Sequence, residues 1–402
     1  MVNNIKVQVI GLGRIGLCLF ALISDKIKNT IGIDINQKRL MDIASITIPD
    51  DEPELISTLK NVYRRNNPLL KDKYIYANVH IIAVNTMDEN GNSSTTAIID
   101  VIKELSSKLN REDLILVVST IPVGLSRYII NIIDLDRPDL ENKYHYAYSP
   151  ERGNPGELMS DIKKNKIIIA TNNTRAFIAA KNFLSIFINS SYIEATLEEG
   201  ELSKITENAY RNLSIAFSNE LSMIISKSRM DIHRLLALIN SNQKINIPSP
   251  GVGVGGACVP IDSLRFLECV SNESILIKSS VTINESKINW CVDYIISKIL
   301  LLNARGIAFP ALAFFGLTYK PNISDLKNSI AEKIAITILR LNICKVILVD
   351  PNISSHKDYE ICDIDSAIEG SDLLVFMIAH HEFRSISIPD NVEVIDFVGV
   401  TC

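Results

Sequence analysis

The sequence lacks several features that define membrane, secreted and nucleic-acid-coating proteins. Its longest apolar stretches are too short, or too interrupted by charge and proline, to cross a bilayer as a helix. The start, Met1–Lys6, leads directly into a strand pattern without a cationic and then apolar leader, so we expect a cytosolic protein. The net charge is only −5, which disfavours a protein that coats nucleic acid or a membrane surface.

The cysteines also lack the patterns that are typical of disulfide-rich or metal-binding proteins. The seven cysteines are odd in number and show no metal-ligand spacing, so we expect neither a disulfide framework nor a metal site. Most lie in apolar runs and are predicted to be inert core residues, Cys269, Cys291 and Cys344 among them. The chain is 402 residues long and 47% of its residues are hydrophobic, which is enough for two or three globular domains.

Short apolar runs alternate with helical patterns at both ends of the chain, which predicts α/β structure with parallel sheets. The middle is helical: one long helix is expected from Leu197 to about Arg229, followed by Asp231–Asn240, and Pro248–Gly256 is too rich in glycine and proline for regular structure. We therefore expect three domains, 1–196, 197–302 and 303–402. The predicted strands are Ile5–Ile10, Thr30–Ile33, Val79–Val84, Leu114–Ser119, Ile167–Ala170, Ala311–Gly316, Lys345–Asp350 and Leu373–Ile378.

A glycine-rich turn follows the first predicted strand. Gly11, Gly13 and Gly16 open a helical pattern, and Asp34 ends the next strand roughly 20 residues further on, as in a Rossmann dinucleotide site. The alternative is an ordinary strand-to-helix turn. In a dinucleotide site, backbone amides approach the pyrophosphate and the carboxylate binds ribose hydroxyls. A carboxylate at 34 repels a 2′-phosphate, which favours NAD over NADP. Arg14 and Ile15 complete the predicted cofactor turn.

Two further patterns could carry chemistry. Lys204 and Asn208 lie four apart on the long helix and share a face, although a solvated helix surface is the ordinary interpretation. Cys258 comes directly after flexible glycines, where a ligand can approach it, although a buried structural thiol is again the simpler alternative.

Over nearly its whole length the chain resembles the nucleotide-sugar 6-dehydrogenases, the UDP-glucose and UDP-N-acetylmannosamine dehydrogenase family. The Cys258 and Tyr319-Lys320-Pro321 motifs are the most specific. The resembling segments are Gly11–Gly16, Ser119–Gly124, Ser149–Gly156, Lys204–Arg211, Gly255–Asp262 and Phe315–Pro321. The resemblance implies two Rossmann-like doubly wound parallel-sheet domains, the first binding NAD and the second a UDP-sugar, joined by a helical central domain that forms a homodimer.

The resemblance also suggests a branch of the family. Glucose-oxidising members typically carry lysine at the position of Ile261 and an Asn-Pro-Glu-type sequence near Glu151, whereas this chain has Ile261 and Ser149–Gly156. Both features resemble the N-acetylhexosamine branch. Two positions depart from the usual pattern: Ala257 stands where that branch usually has histidine, and Lys327 where many members have arginine.

In such enzymes, the C6 alcohol of a UDP-sugar is oxidised to a carboxylate with two NAD in succession. The resemblance implies that Thr120 and Glu151 hold a water that assists the first oxidation, and that Lys204 stabilises the alkoxide. Cys258 is the implied nucleophile of the second oxidation, and Asn208 is an implied donor to the oxyanion that forms there. Asp262 is the implied residue that orients the hydrolytic water or Lys204. Thr120 also belongs to the implied cofactor site. The implied substrate residues are Glu151, Arg152, Lys204, Asn208, Arg211, Gly253, Gly255, Gly256, Tyr319 and Lys320.

Other functions stay open at this point. A two-electron hydroxyacid or 6-phosphogluconate-type dehydrogenase shares a Rossmann domain and a Lys/Asn helix pair, but has no need of Cys258 or of a third domain. A catalytically silent nucleotide-binding protein is the other alternative. Within the family, UDP-N-acetylglucosamine or UDP-glucose could replace UDP-N-acetylmannosamine, and the expected product serves surface polysaccharide or glycan synthesis.

Overall fold

The structure, a computed structural model, describes residues 5–48, 52–66, 68–88, 91–228, 230–271 and 273–401. The chain divides into two compact units, Met1–Ile205 and Thr206–Cys402, and each is treated by itself below. No helix of the described ranges is both long and apolar enough to cross a membrane.

The first unit is built on an eight-stranded sheet with the order β3-β2-β1-β4-β5-β6-β7-β8. All neighbouring strands are parallel except β6 and β7, which run antiparallel. The strands are Val7–Ile10 (β1), Thr30–Ile33 (β2), Leu69–Lys71 (β3), Val79–Ile82 (β4), Leu114–Val117 (β5), His145–Tyr148 (β6), Ile167–Thr171 (β7) and Tyr192–Ala195 (β8).

Helices cover both faces of this sheet, because alternate strand residues point to opposite sides. Val9 packs in a core with Phe20 and Leu59, whereas its neighbour Ile10 packs with Ile102 and Ile129 on the other face. The helices are Arg14–Lys26 (α1), Gln37–Ala44 (α2), Pro53–Asn66 (α3), Thr96–Ser106 (α4), Leu125–Asp136 (α5), Leu158–Lys164 (α6), Thr174–Leu184 (α7) and Leu197–Ile225 (α8).

The second unit begins within α8 and contains a four-stranded parallel sheet with the order β10-β9-β11-β12. Its strands are Ala311–Phe315 (β9), Lys345–Val349 (β10), Leu373–Phe376 (β11) and Glu393–Asp396 (β12). Its remaining helices are Ile232–Asn240 (α9), Val259–Cys269 (α10), Ile275–Ala304 (α11), Ile330–Leu341 (α12) and Ile364–Glu369 (α13). Each sheet reverses strand order beside its first strand, at β1/β4 and β9/β11, where open α/β sheets bind ligands.

The structure confirms the predicted fold class and all the predicted strands, within two residues at each end. The long helix ends at Ile225, earlier than expected, and Arg229 lies outside the described residues. Cys291 and Cys344 are buried as predicted, but Cys269 is exposed at the end of α10, so its assignment to the core was wrong. Cys402 also lies outside the described residues.

Candidate active site

The glycine turn after β1 leaves room for a dinucleotide. Gly11 has φ +85°, and a Cβ there would lie 2.7 Å from the Ala83 carbonyl oxygen; a Cβ on Gly16 would lie 1.8 Å from the Gly11 carbonyl oxygen. A Cβ on Gly13 would meet nothing within 4 Å. A side chain at position 11 or 16 would therefore clash with the backbone of the protein. Gly13 instead faces open space at the N-terminus of α1, where no side chain caps the helix. These features fit the pyrophosphate of NAD.

Asp34, directly after β2, forms a hydrogen bond with the backbone of this turn. Its Oδ2 accepts the Leu12 amide at 2.8 Å and its Oδ1 accepts the Asn36 amide at 2.9 Å. Arg39 Nε donates to the Leu12 carbonyl at 2.9 Å, so a cation also lies against the turn. Asp34 is half-buried, which leaves part of its carboxylate open to a ribose hydroxyl.

The loop that carries Thr120 is held at both ends. Thr86 Oγ1 donates to the Thr120 carbonyl at 2.9 Å, and further along the amides of Gly124 and Ser126 donate to the Glu201 carboxylate at 2.6 and 2.7 Å. Glu201 is fully buried on α8, three residues before Lys204, and burial raises its pKa. Glu201 was not predicted from the sequence, although its carboxylate fixes the Thr120 loop to the helix that carries Lys204.

Glu151 lies in an irregular loop after β6, with its Oε1 accepting the amides of Arg152 and Gly153 at 2.7 and 2.6 Å. Burial raises the pKa of Glu151 above its ordinary value, while these amides and the positive charge of Lys204 act in the opposite direction. A carboxyl group with a raised pKa and a nearby ammonium group suits the movement of a proton through a bound water.

A second buried carboxylate, which the sequence analysis also missed, supports the Glu151 loop. Glu52 is 4% exposed and accepts the amides of Gly156 and Leu158 at 2.7 and 2.9 Å. Burial raises the pKa of Glu52, and the amides and the charge of Arg14 act against this. Glu52 therefore joins the segment after α2 to the loop that carries Glu151.

In the second unit, Cys258 is the exposed residue directly before α10, whose first turn contains Pro260. A helix N-terminus carries a partial positive charge, which favours a thiolate there. One turn into the helix, Asp262 is 2% exposed; its Oδ2 accepts Asn208 Nδ2 at 2.6 Å and its Oδ1 accepts Arg265 at 3.0 Å. Arg265 neutralises Asp262 and was not identified from the sequence.

The glycines before Cys258 pack against the turn that follows β9. Gly256 has φ +81°, and a Cβ there would lie 2.8 Å from the ring of Tyr319; a Cβ on Gly255 would lie 2.8 Å from the Asn328 carbonyl oxygen. Gly253, Gly255 and Tyr319 also line a cavity of about 310 Å³ together with Pro250 and Ile378. This cavity, within the second unit, is a candidate for the nucleotide part of the substrate.

A buried hydrogen-bond network stabilises the turn that follows β9. Asp350, at the end of β10, accepts the Leu317 amide at 2.7 Å, and fully buried His380 lies 3.2 Å from it. His380 Nδ1 accepts the Asn322 amide at 3.0 Å, and its Nε2 lies 3.2 Å from Thr318 Oγ1. Because a backbone N–H can only donate, Nδ1 is unprotonated and the Nε2 proton faces Asp350 and Thr318.

The other predicted site residues are placed as follows. Arg152 donates to the Lys166 carbonyl at 3.3 Å and is half-buried, as are Lys204 and Lys320, whereas Arg211 is exposed on α8. Of the two departures from the family pattern, Ala257 is half-buried and Lys327 is exposed.

One of the missed residues had a signal in the sequence. Asp350 follows an apolar strand as Asp34 does, so the second sheet repeats the pattern of the first. The other missed residues had no such signal in the sequence. The partners of Glu52, Glu201 and His380 lie far away in the sequence, and burial of the Arg265–Asp262 pair is visible only in the folded structure.

These features define an α/β protein with a dinucleotide-type glycine turn and an exposed cysteine directly before a helix. Family profiles match three consecutive parts of the chain, all described as UDP-glucose/GDP-mannose dehydrogenase family: the NAD binding domain at residues 5–188, the central domain at 198–286 and the UDP binding domain at 313–399.

Relatives match along the whole chain. A UDP-N-acetyl-D-mannosamine dehydrogenase of Salmonella typhi is 30% identical over 94% of each chain. An NDP-N-acetyl-D-galactosaminuronic acid dehydrogenase of Ralstonia nicotianae is 28% identical, over 94% of this chain and 92% of the relative. A solved structure of a UDP-D-ManNAc dehydrogenase from Pyrococcus horikoshii superposes with a TM-score of 0.88 and 25% identity, covering 99% of this chain and 96% of the other.

The chain belongs to the UDP-glucose/GDP-mannose dehydrogenase family. It is an NAD-dependent nucleotide-sugar dehydrogenase, and its UDP-binding domain takes a UDP-sugar. The boundaries predicted after residues 196 and 302 and the roles of the individual site residues stay predictions.

Replacing Glu201 by glutamine should lower the free energy of unfolding by about 1–3 kcal/mol, because the amide NH₂ would face one of the two backbone N–H donors in a buried position. Urea denaturation followed by circular dichroism measures this change. Glu198→Gln is the matched control, since Glu198 on the same helix is only partly buried and pairs with exposed Arg127, so its loss should change stability by less than about 1 kcal/mol. Equal effects of the two variants would contradict the anchoring role of Glu201.

Proposed function

We propose that the protein oxidises the C6 hydroxyl of a UDP-N-acetylhexosamine, UDP-N-acetyl-D-mannosamine, to the uronate through a covalent intermediate on Cys258. The observation that carries this proposal is the placement of Cys258: an exposed thiol at the N-terminus of α10, after a glycine loop, with the Asp262–Asn208 pair one turn into the helix. A purely structural cysteine has no need of exposure or of this position.

In the first oxidation, a base must take the proton of the C6 hydroxyl. Glu151, with its raised pKa, and Thr120 are proposed to hold a water that receives this proton, and the Lys204 ammonium group stabilises the alkoxide. The turn at Gly11–Gly16 and Asp34 would hold NAD, which would supply the acceptor for the hydride that each oxidation removes from C6.

In the second oxidation, the Cys258 thiolate adds to the aldehyde carbon and gives a thiohemiacetal whose oxygen carries the charge. Asn208 and Lys204 are proposed donors to that oxygen, a role worth about 2.7–4 kcal/mol per donor. Loss of hydride from C6 leaves a thioester, which water hydrolyses to the carboxylate and free thiolate. Asp262, paired with Arg265, orients the Asn208 amide for this task.

The choice of an N-acetyl sugar has two supports. Ile261 is 8% exposed on α10, so no cation stands where glucose-oxidising members typically carry lysine. The relatives from Salmonella typhi and Pyrococcus horikoshii are named for N-acetylmannosamine. A role in surface polysaccharide or glycan synthesis and a cytosolic location remain parts of this proposal.

NADH formation should be measured with UDP-N-acetylmannosamine, UDP-N-acetylglucosamine and UDP-glucose at limiting sugar. We expect the highest kcat/KM with UDP-N-acetylmannosamine and two NADH per sugar consumed. A higher kcat/KM with UDP-glucose would refute the N-acetyl assignment. One NADH per sugar would instead favour a two-electron dehydrogenase.

Cys258→Ser should stop turnover after the first oxidation, because a serine alkoxide forms far less readily than a thiolate. We expect steady-state NADH formation to fall by at least about 1000-fold while UDP-sugar and NAD still bind, as calorimetry can show. Cys269→Ser changes an exposed thiol at the other end of the same helix and should retain activity. If Cys258→Ser still produced two NADH per sugar at a near wild-type rate, the covalent mechanism would be excluded.

Asp34→Asn should narrow the preference for NAD over NADP by about tenfold in the ratio of kcat/KM values. The variant removes the charge that repels a 2′-phosphate but keeps an oxygen acceptor for the Leu12 amide, and Arg39 lies against the same turn. Wild-type protein that used both cofactors equally well would contradict the assigned role of Asp34.

The proposed oligomer is a homodimer that buries one face of α8. Tyr210, Phe217 and Ile224 follow one another at seven-residue intervals and are 68%, 53% and 67% exposed, which makes an apolar stripe along the helix. Phe217→Glu should therefore give a monomer by light scattering at micromolar concentration, whereas Leu135→Glu, at an 83% exposed position on α5, should not. A monomeric wild-type protein would be evidence against the homodimer.

A further inference from the structure

A buried lysine in the second unit has no part in the proposed reaction. Lys287, on α11, is 2% exposed. Its Nζ donates to Ser222 Oγ at 2.8 Å and lies 3.9 Å from the ring centroid of Trp290 and 5.7 Å from that of Phe397. Burial lowers the pKa of Lys287 to about 8, and among the described groups only the Cys291 thiol acts against this. The ammonium group is thus held by aromatic rings and a hydroxyl, without a carboxylate partner in the described chain.

Lys287 lines a cavity of about 360 Å³. None of the residues assigned to cofactor or substrate above lines it. Apolar side chains, including Ile225, Met230 and Phe397, form part of the wall, and His233 on α9 lies on another side. The cavity is therefore large enough for a small organic molecule and has an ammonium group in its wall.

The two carboxylates that line this cavity already accept hydrogen bonds from neighbouring residues of the protein. Asp396 Oδ1 accepts the Val398 and Gly399 amides, and its Oδ2 accepts both the amide and the hydroxyl of Thr401. Asp231 caps α9 and accepts the Arg234 amide at 2.7 Å. These hydrogen bonds hold both carboxylates to neighbouring backbone groups, and neither carboxylate forms an ion pair with Lys287 in the described part of the chain.

The histidine of the cavity supplies a second polar group. His233 Nε2 is buried and has no hydrogen-bond partner in the described part of the chain, while its ring packs against Gly399, where a Cβ would lie 2.6 Å from Nδ1. A buried polar atom without a partner costs free energy that a ligand can recover. Lys287 thus offers an ammonium donor, and His233 offers a ring nitrogen that can donate or accept according to its tautomer, on two different helices.

We propose that this cavity binds a small organic carboxylate, with Lys287 as its charged partner and the apolar wall against its hydrocarbon part. A single ammonium group matches a single negative charge, whereas a phosphate dianion would bring a second charge that the cavity does not neutralise. The aromatic and aliphatic side chains favour an organic body over an inorganic ion.

The only tryptophan of the sequence, Trp290, reports directly on this cavity. Its fluorescence should be followed during titration with sodium benzoate, with benzamide as the neutral analogue of the same shape, and with inorganic phosphate. We expect a saturable change with benzoate and at least a tenfold weaker response with benzamide and phosphate. No saturable change with benzoate, or equal binding of benzamide, would overturn the proposal.

Lys287→Met tests the charged partner. Because the variant removes a desolvated charge, we expect it to fold with an unchanged or higher melting temperature and to lose benzoate affinity at least tenfold. Lys298→Met is the matched control: that ammonium group lies 5.9 Å from the Tyr294 ring centroid, is partly exposed beside Glu393, and does not line the cavity. Benzoate affinity that is unchanged in Lys287→Met would overturn the proposal, and phosphate binding lost in that variant would assign an inorganic anion instead. The readout is independent of catalytic activity.

Discussion

Both sheets place a glycine with positive φ directly after the first strand, and in both a carboxylate from the end of the neighbouring strand accepts the next backbone amide. Asp34 accepts the Leu12 amide at 2.8 Å, and Asp350 accepts the Leu317 amide at 2.7 Å. This contact sets the path of the chain as it leaves the sheet at the point where the strand order reverses. Asp34 is half-buried and keeps part of its carboxylate exposed, whereas Asp350 is buried and lies against His380, so the first turn fits a dinucleotide better than the second.

Buried carboxylates that accept hydrogen bonds from backbone amides or from side chains position the remaining site residues. Glu201 holds the Thr120 loop, Glu52 holds the loop of Glu151, and Asp262 joins Asn208 to Arg265. Burying a charge is unfavourable unless hydrogen bonds or an opposite charge compensate for it. Each of these carboxylates has such partners, so the loops gain defined geometry from contacts that take no direct part in the proposed chemistry.

Regular elements with strong apolar patterns could be predicted from the sequence, Thr30–Ile33 among them, as could the glycine turn and the motif around Cys258. Strands with weak patterns were missed: Leu69–Lys71 is mostly exposed and His145–Tyr148 is rich in polar and aromatic residues. The anchoring carboxylates could not be predicted, because Glu52 and Gly156 are 104 positions apart and only the folded sheet brings them together. Cys269 was wrongly predicted to be buried, because apolar neighbours in the sequence do not guarantee that a residue is buried.

The central claim is that Cys258 carries the sugar between the two oxidations. Wild-type protein should be mixed with NAD and UDP-N-acetylmannosamine, quenched with acid during turnover, digested and examined by mass spectrometry. The account predicts a uronyl thioester on the peptide that contains Cys258, which disappears when the reaction runs to completion and is removed by hydroxylamine. A covalent adduct on another residue, or none under conditions where both oxidations occur, would contradict it.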